Sequence, residues 1–141
     1  MKYFYTANKR FFNYIKKSKK IYTQNFIIYL LKKDILTFLK EKEYNYLLNL
    51  PIIGIIVKRK FAKSVYRNRI KRLIKESFRE IFYNNKDLKE FYKNYTIFVL
   101  VKNNTNKNID FNRVKNEVYN FLIENYRKIN KEFNNKNNTI L

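Results

Sequence analysis

The stretch KRKFAKSVYRNRIKRLIKESFREIF, residues 58–82, combines a helical apolar periodicity with a dense series of cations. Its apolar and small residues recur at intervals of three and four, the spacing of one helical face: Ile70, Leu73, Ile74, Ser77, Phe78 and Ile81. At about 100° per residue, the opposite side carries Asn68, Arg72, Lys75 and Arg79. We therefore predict an amphipathic helix that presents a dry face to a core and cations to the outside.

Arginine is concentrated in this stretch, although lysine dominates the rest of the chain. A chain rich in Lys, Asn, Ile, Tyr and Phe is typical of biased base composition, but that bias does not explain a cluster of arginines. The planar guanidinium holds two phosphate oxygens at once, which favours contact with a nucleic-acid backbone. The predicted RNA-binding residues are Arg59, Lys60, Lys63, Arg67, Asn68, Arg69, Lys71, Arg72, Lys75 and Arg79.

Composition limits the class of protein. The 141 residues suffice for a single domain, predicted as one RNA-binding domain over 1–141, and the formal net charge of +21 calls for a polyanionic partner. The chain has neither cysteine nor histidine, so it holds no disulfide framework and no thiolate metal site. No apolar run reaches the length of a membrane span and no signal-peptide core is visible, so we expect a cytoplasmic location without membrane contact.

The order of elements can be read from local patterns. We predict a first helix over 7–17, strands over 25–31, 52–58 and 95–101, and a last helix that begins after Asp110. Gly54 inside the second strand indicates a bulge or a close backbone approach. Residues 63–66 leave two readings open, a very short strand or a helix cap at Ser64. The segments 83–94 and 102–108 are predicted loops.

Three further segments complete the predicted organisation. Residues 32–50 form an inserted connection, in which Asp34 could cap a short helix. We expect the ordered core to cover about 7–130 and the Asn-rich tail, 134–141, to be disordered.

Groups for catalysis by the protein itself are scarce. Without His or Cys, the candidates reduce to carboxylates, most of which are scattered beside lysines. Glu76 and Glu80 lie one helical turn apart and could share a cation, but such a pair beside Arg72 more often belongs to a surface charge network. We therefore predict no catalytic residue and no metal ligand in the protein.

The run GIIVKRKFAKSVYRNRIKRLIKESFR, residues 54–79, resembles the signature of the bacterial ribonuclease P protein component. The basic pair Arg59-Lys60 and the triplet Arg67-Asn68-Arg69 stand at the spacing of that family. Three positions depart from it: Lys58 where Ser is usual, Ala62 where Gly is usual, and Lys63 where Asn is usual. The resemblance extends into the first helix, where Phe11 and Tyr14 fit and Ile15 replaces an aromatic residue.

The resemblance implies an α+β fold, with a small four-stranded sheet and three helices in the order α-β-β-β-α-β-α. It also implies a left-handed β-α-β crossover, which periodicity would not suggest because nearly all such crossovers are right-handed.

The resemblance further implies the protein subunit of ribonuclease P. In that enzyme the catalytic RNA binds the Mg²⁺ ions and removes the 5′ leader from precursor tRNA, and the protein binds the leader and stabilises the RNA with its magnesium ions. The implied partners are the catalytic RNA and precursor tRNA, with no organic cofactor and no obligate protein partner. The implied leader-binding cleft takes Phe11, Ile15, Tyr29, Ile56, Lys58 and Lys60.

Two other classes stay open at this point. A ribosomal protein or general RNA chaperone could use the same basic helix without a catalytic RNA. A DNA-binding protein could read a major groove through Arg67, Arg69 and Arg72, although the segment before them has a strand pattern and not that of a first helix.

Overall fold

One mixed sheet organises the chain. The computed structural model describes residues 2–140, and of residue 37 and residues 132–140 it describes the backbone alone. The strands are β1 (Tyr5–Thr6), β2 (Lys19–Tyr22), β3 (Phe26–Lys32), β4 (Ile52–Ile56) and β5 (Tyr95–Val101). The α-helices are α1 (Lys9–Phe12), α2 (Ser64–Asn84), α3 (Lys86–Tyr92) and α4 (Phe111–Ile140). The strand order across the sheet is β1-β4-β5-β3-β2.

The strand β5 lies at the centre of the sheet. It pairs in parallel with β4 and antiparallel with β3, and all of its residues except Leu100 are buried. A strand that is buried on both faces has no polar side to alternate with, which explains the continuous apolar run YTIFVLV. The strand predicted over 95–101 is confirmed.

The helices α2, α3 and α4 cover one face of the sheet. Ile28 of β3, Ile53 of β4 and Val99 of β5 pack there against Ile74 of α2 and Val118 of α4. The apolar face predicted for α2 is confirmed, since all its predicted members are buried except Leu73, which is half-buried. The start predicted for α4 is also confirmed, because Asp110 accepts a hydrogen bond from the backbone N–H of Arg113 at 2.8 Å.

The other face of the sheet carries α1 and the inserted connection. Short 3₁₀ segments, Lys33–Ile35, Thr37–Lys40 and Lys42–Asn49, replace the helix expected after an Asp34 cap. The insertion buries Leu36, Phe38, Leu39 and Leu47 against Phe11, Leu31, Ile52 and Phe98. It therefore forms a second, smaller core on this side of the sheet.

A buried lysine closes the insertion. The Lys33 ammonium donates hydrogen bonds to the backbone oxygen of Leu47, at 2.6 Å, and to that of Leu50. Burial lowers the pKa of Lys33 to about 8, and the nearby charge of Lys93 acts in the same direction. These two hydrogen bonds thus hold the C-terminal end of the last 3₁₀ segment against the start of the connection.

Gly54 permits a close approach of side chains to the β4 backbone on this face. A Cβ atom at this position would lie 2.7 Å from Cδ1 of Phe98, 3.0 Å from Cζ of Phe12 and 3.2 Å from Cβ of Ala7. The pairing of β4 with β5 continues without a break through Gly54. Of the two readings of this glycine, the close approach is confirmed and the bulge is wrong.

Several predicted boundaries are wrong. The helix predicted over 7–17 is reduced to α1 and a 3₁₀ turn at Ile15–Lys17, in a segment whose Asn and aromatic residues are weak helix formers. Residues 63–66 form no strand, and Ser64 is the first helical residue after Lys63 at the N-cap. The loop predicted over 83–94 holds the end of α2 and the whole of α3, because Leu88 and Tyr92 bury one face of that short helix.

The sheet has five strands where the resemblance implied four, because β1 adds in parallel to the edge of β4. From α1 onward the implied order of elements is present, with α3 as an additional helix where three helices were implied. The hand of the crossover stays a prediction. So does the disordered tail over 134–141, where Leu141 lies outside the described residues and the side chains of the others are not described. Among the described helices, none combines the length and apolarity needed to cross a membrane.

Candidate nucleic-acid interface

The outer face of α2 forms a basic stripe, defined here as Asn68, Arg72, Lys75 and Arg79. Asn68, Arg72 and Arg79 are exposed and Lys75 is half-buried, so the side predicted to face solvent does so. Six other residues were predicted to bind RNA. Three of them, Arg59, Lys60 and Lys63, are exposed and precede the helix, and the other three, Arg67, Arg69 and Lys71, are half-buried on it. The structure thus brings these residues onto one helix and the segment that leads into it.

The segment between β4 and α2 holds the basic pair in a tight turn. The backbone N–H of Phe61 donates to the carbonyl of Lys58 at 3.0 Å, and Phe61 packs into the helix-side core. Lys58, Arg59 and Lys60 are all exposed around this turn. No described residue, glycine included, has a positive φ, so Ala62 fits where the family usually has Gly.

The N-terminal segment extends the basic surface beyond α2. Lys2 lines a groove of about 510 Å³ together with Lys75 and Arg79, and the residues between Tyr3 and Thr6 form the rest of its wall. The Arg79 guanidinium lies 5.8 Å from the centre of the Phe4 ring and also pairs with Glu76. Sequence reasoning missed Lys2, because the position of β1 beside the helix cannot be read from its two residues.

The face of the sheet opposite α2 carries three rows of side chains that run across the strands. The first row, Ile52, Thr96 and Leu31, is fully buried on the side of the insertion. In the second, Gly54, Phe98, Tyr29 and Lys20 stand side by side, and the Phe12 ring lies over Phe98 at 5.0 Å between ring centres.

The third row is the uncovered one, and we call it the open row: Ile56, Leu100, Ile27 and Tyr22. The pairing of the strands places each of these residues directly beside the next. The first three are half-buried, and Tyr22 is 62% exposed. Lys58 follows Ile56 along the chain, and Lys20 and Lys102 lie 5.3 and 5.8 Å from the Tyr22 ring centre. An apolar strip across four strands therefore ends in cations on both sides.

The predicted leader-cleft residues divide into two groups. Ile15, Tyr29 and Ile56 are half-buried on the sheet face that carries the open row. Lys58 and Lys60 are exposed beyond Ile56, at the β4 end of that row. Phe11 does not belong to this surface. Its ring is 1% exposed and lies 5.0 Å from Phe38 of the insertion, so Phe11 fills the smaller core. Its neighbour Phe12 reaches the sheet in its place.

The residues of this face that sequence reasoning missed follow from the pairing of β2 and β5. The alternation in KKIY places Lys20 and Tyr22 on the face of the open row and Ile21 on the helix side. Four residues with a single half-buried side chain give only a weak strand signal. Leu100 is the single half-buried residue of β5, and an apolar run does not reveal which member is uncovered.

The carboxylates whose side chains the structure describes do not converge on one site. Glu76 pairs with Arg79, and Glu80 with Lys115 of α4 at 2.5 Å, so the two acids hold separate cations. Among the side chains that the structure describes, no group of three or more carboxylates is placed to hold a metal ion. What this surface offers to a ligand is positive charge and aromatic or apolar area.

Comparison with known proteins identifies the family. The family model for ribonuclease P matches residues 2–126 of this chain. The chain belongs to the ribonuclease P protein family. Curated relatives include the ribonuclease P protein component of Clostridium botulinum strain Loch Maree, which is 36% identical over 74 residues. This match covers 52% of the chain and 61% of the relative's own length.

Solved structures of the family share the fold. A ribonuclease P protein from Thermotoga maritima superposes with a TM-score of 0.55 at 26% identity, covering 81% of this chain and 89% of that one. One from Staphylococcus aureus gives a TM-score of 0.60 at 20% identity, with coverage of 88% and 94%. At that lower identity the likeness shows the fold alone.

The burial of Phe11 predicts that this residue stabilises the fold and does not bind RNA. We expect Phe11→Ala to lower the free energy of unfolding by about 3–5 kcal/mol, because it empties a fully buried ring site between α1 and the insertion. Half-buried Ile15 provides the matched control, and Ile15→Ala should cost clearly less. Urea unfolding measures both. A Phe11→Ala variant that keeps its stability but binds RNA more weakly would contradict the core assignment.

Proposed function

We propose that this chain is the protein subunit of a ribonuclease P, the ribonucleoprotein endoribonuclease that removes the 5′ leader from precursor tRNA. One observation carries the proposal: in a chain of this family, the open row lies on the face of the sheet opposite the basic helix α2. A protein with two such surfaces can contact one RNA through phosphates and a second through unstacked bases.

The basic stripe is suited to a structured RNA. Cations along a helix bind the backbone of a duplex without reading its sequence, and they release condensed counterions as they do so. We assign this surface, with the groove beside Lys2, to the catalytic RNA. The described carboxylates form no metal cage, so in this proposal the Mg²⁺ ions are held by the RNA and the protein contributes charge that steadies its fold.

The open row is suited to a single strand. Half-buried apolar side chains and the Tyr29 ring can receive bases, while Lys58 and Lys60 can follow the phosphates. The insertion covers the first row and Phe12 covers Phe98 in the second, which leaves the open row and half-buried Tyr29 accessible. We assign the open row and Tyr29 to the 5′ leader.

The stripe makes a prediction about salt. Arg72→Ala and Lys75→Ala should each flatten the slope of log affinity for the catalytic RNA against log salt by about one unit or somewhat less, because each removes one phosphate contact. Lys42→Ala, which removes an exposed cation from the insertion, should leave the slope unchanged. Filter binding over a salt series measures it. Equal slopes for the unsubstituted protein and its three variants would show that the stripe does not contact the phosphates of the catalytic RNA.

The leader assignment is tested with the reconstituted ribonucleoprotein. We expect the unsubstituted complex to bind precursor tRNA more tightly than mature tRNA, and Tyr29→Ala to weaken precursor binding by roughly tenfold, since stacking on one ring contributes about 1–3 kcal/mol per base. Binding of mature tRNA should not change.

Tyr126→Ala, which removes a half-buried ring from the opposite side of the sheet, is the control for lost packing. If the complex shows no preference for the precursor, the chain acts as a general RNA-binding protein. If Tyr29→Ala weakens both substrates equally, Tyr29 is a packing residue and the leader does not cross this face.

A further inference from the structure

The open row ends in an exposed tyrosine on an edge strand. Tyr22 is the last residue of β2 and stands beside Ile27 of β3, so its ring belongs to the same face as the open row. The Lys20 and Lys102 ammonium groups lie 5.3 and 5.8 Å from the ring centre. Lys20 also lies 5.8 Å from the Tyr29 ring, which places it between the two tyrosines.

An exposed tyrosine with lysines beside it is not by itself a binding site, since such contacts contribute little in water. Tyr22 differs because it continues an existing surface. From Ile56 to Tyr22 the open row crosses three strand spacings, about 14 Å at the usual separation of paired strands. The leader placed on the row by the proposed function would meet Tyr22 at its end.

The turn that carries Tyr22 is held in place from the other side of the molecule. Glu117 of α4 accepts hydrogen bonds from the backbone N–H and the side-chain amide of Asn25, both at 2.7 Å, and from the Thr23 hydroxyl. Lys102 donates to the backbone oxygen of Thr23. These contacts fix the turn next to Tyr22, so the ordering cost that opposes stacking falls mainly on the tyrosine side chain and not on its backbone.

The charges around the edge favour a nucleic acid over a protein strand. Lys19 and Lys20 are exposed on β2, and lysine on an edge strand discourages the addition of another strand. The same lysines attract phosphates. An aromatic ring with two ammonium groups 5.3 and 5.8 Å from its centre suits a single strand, in which bases alternate with phosphates.

We propose that Tyr22, Lys20 and Lys102 form a stacking subsite for one base of the leader, at the β2 end of the open row. This inference rests on the proposed function and adds to it a specific position. The ring receives the base, and the two lysines bind the phosphates on either side. None of its three residues is among the predicted cleft residues.

Tryptophan fluorescence can report on this position directly. The chain contains no Trp, so Tyr22→Trp introduces a single indole that keeps a stacking face. Tyr46→Trp is the matched control: Tyr46 is 56% exposed and packs on Tyr5 of β1, at the opposite edge of the sheet. Each variant is assembled with the catalytic RNA and titrated with precursor tRNAs whose leaders are shortened one nucleotide at a time, and with mature tRNA.

We expect the Tyr22→Trp emission to be quenched by precursors above a certain leader length and not by mature tRNA, while the Tyr46→Trp emission stays constant. Tyr22→Ala should weaken binding of long-leader precursors roughly tenfold and leave mature tRNA unaffected.

Three results would overturn the subsite. Unchanged Tyr22→Trp emission, in a complex that still prefers precursor tRNA, removes the subsite and leaves the proposed function intact. Equal quenching by mature tRNA places another part of the tRNA at Tyr22. If Tyr22→Ala changes self-association in sedimentation and leaves RNA affinity unchanged, the β2 edge contacts another protein chain and not the leader. Loss of the precursor preference in the unsubstituted complex is the separate result that refutes the proposed function.

Discussion

The burial of β5 on both faces is the constraint on which the rest of the structure depends. A chain with a formal net charge of +21 repels itself when it is compact, and apolar burial has to offset that repulsion. The strand β5 supplies the centre of this burial, because it pairs with β3 on one side and β4 on the other. As a result, β3 and β4 each turn one face toward the helices α2 to α4 and the other toward α1 and the insertion.

This division explains how so basic a chain can offer two different surfaces. On the helix side the apolar core is covered by α2 and α4, so the outside of that layer is free to carry cations. On the other side, α1 and the insertion are too small to cover the sheet, and one row of apolar residues stays accessible. The aromatic residues divide in the same way, since rings such as Phe11 and Phe98 are buried and Tyr22 and Tyr29 keep exposed area.

Periodicity predicted the elements that are buried on at least one long face. The strand β5, the apolar face of α2 and the Asp110 cap of α4 could be placed because a run of apolar residues, or a period of 3.6, is decided by burial alone. The strands β1 and β2 escaped prediction because their existence depends on pairing with distant strands and leaves little trace in the residues themselves.

The candidate site was predicted unevenly for a related reason. The cations of α2 lie on a regular helix, so their outward direction follows from the sequence. In α1, either of the adjacent residues Phe11 and Phe12 could be the one that is buried in the core. A helix of four residues is too short for its periodicity to show which of the two it is. The insertion decides between them by burying Phe11, and nothing in the local sequence reports that contact.

The central claim is that two RNAs meet opposite faces of one sheet. Photo-crosslinking of the assembled ribonucleoprotein, with thiolated uridines either in the leader of precursor tRNA or in the catalytic RNA, tests it most directly. The account predicts leader crosslinks to the open row and to Tyr29, and crosslinks of the catalytic RNA to α2. Leader crosslinks that map to α2 or α4, with the open row unlabelled, would contradict it.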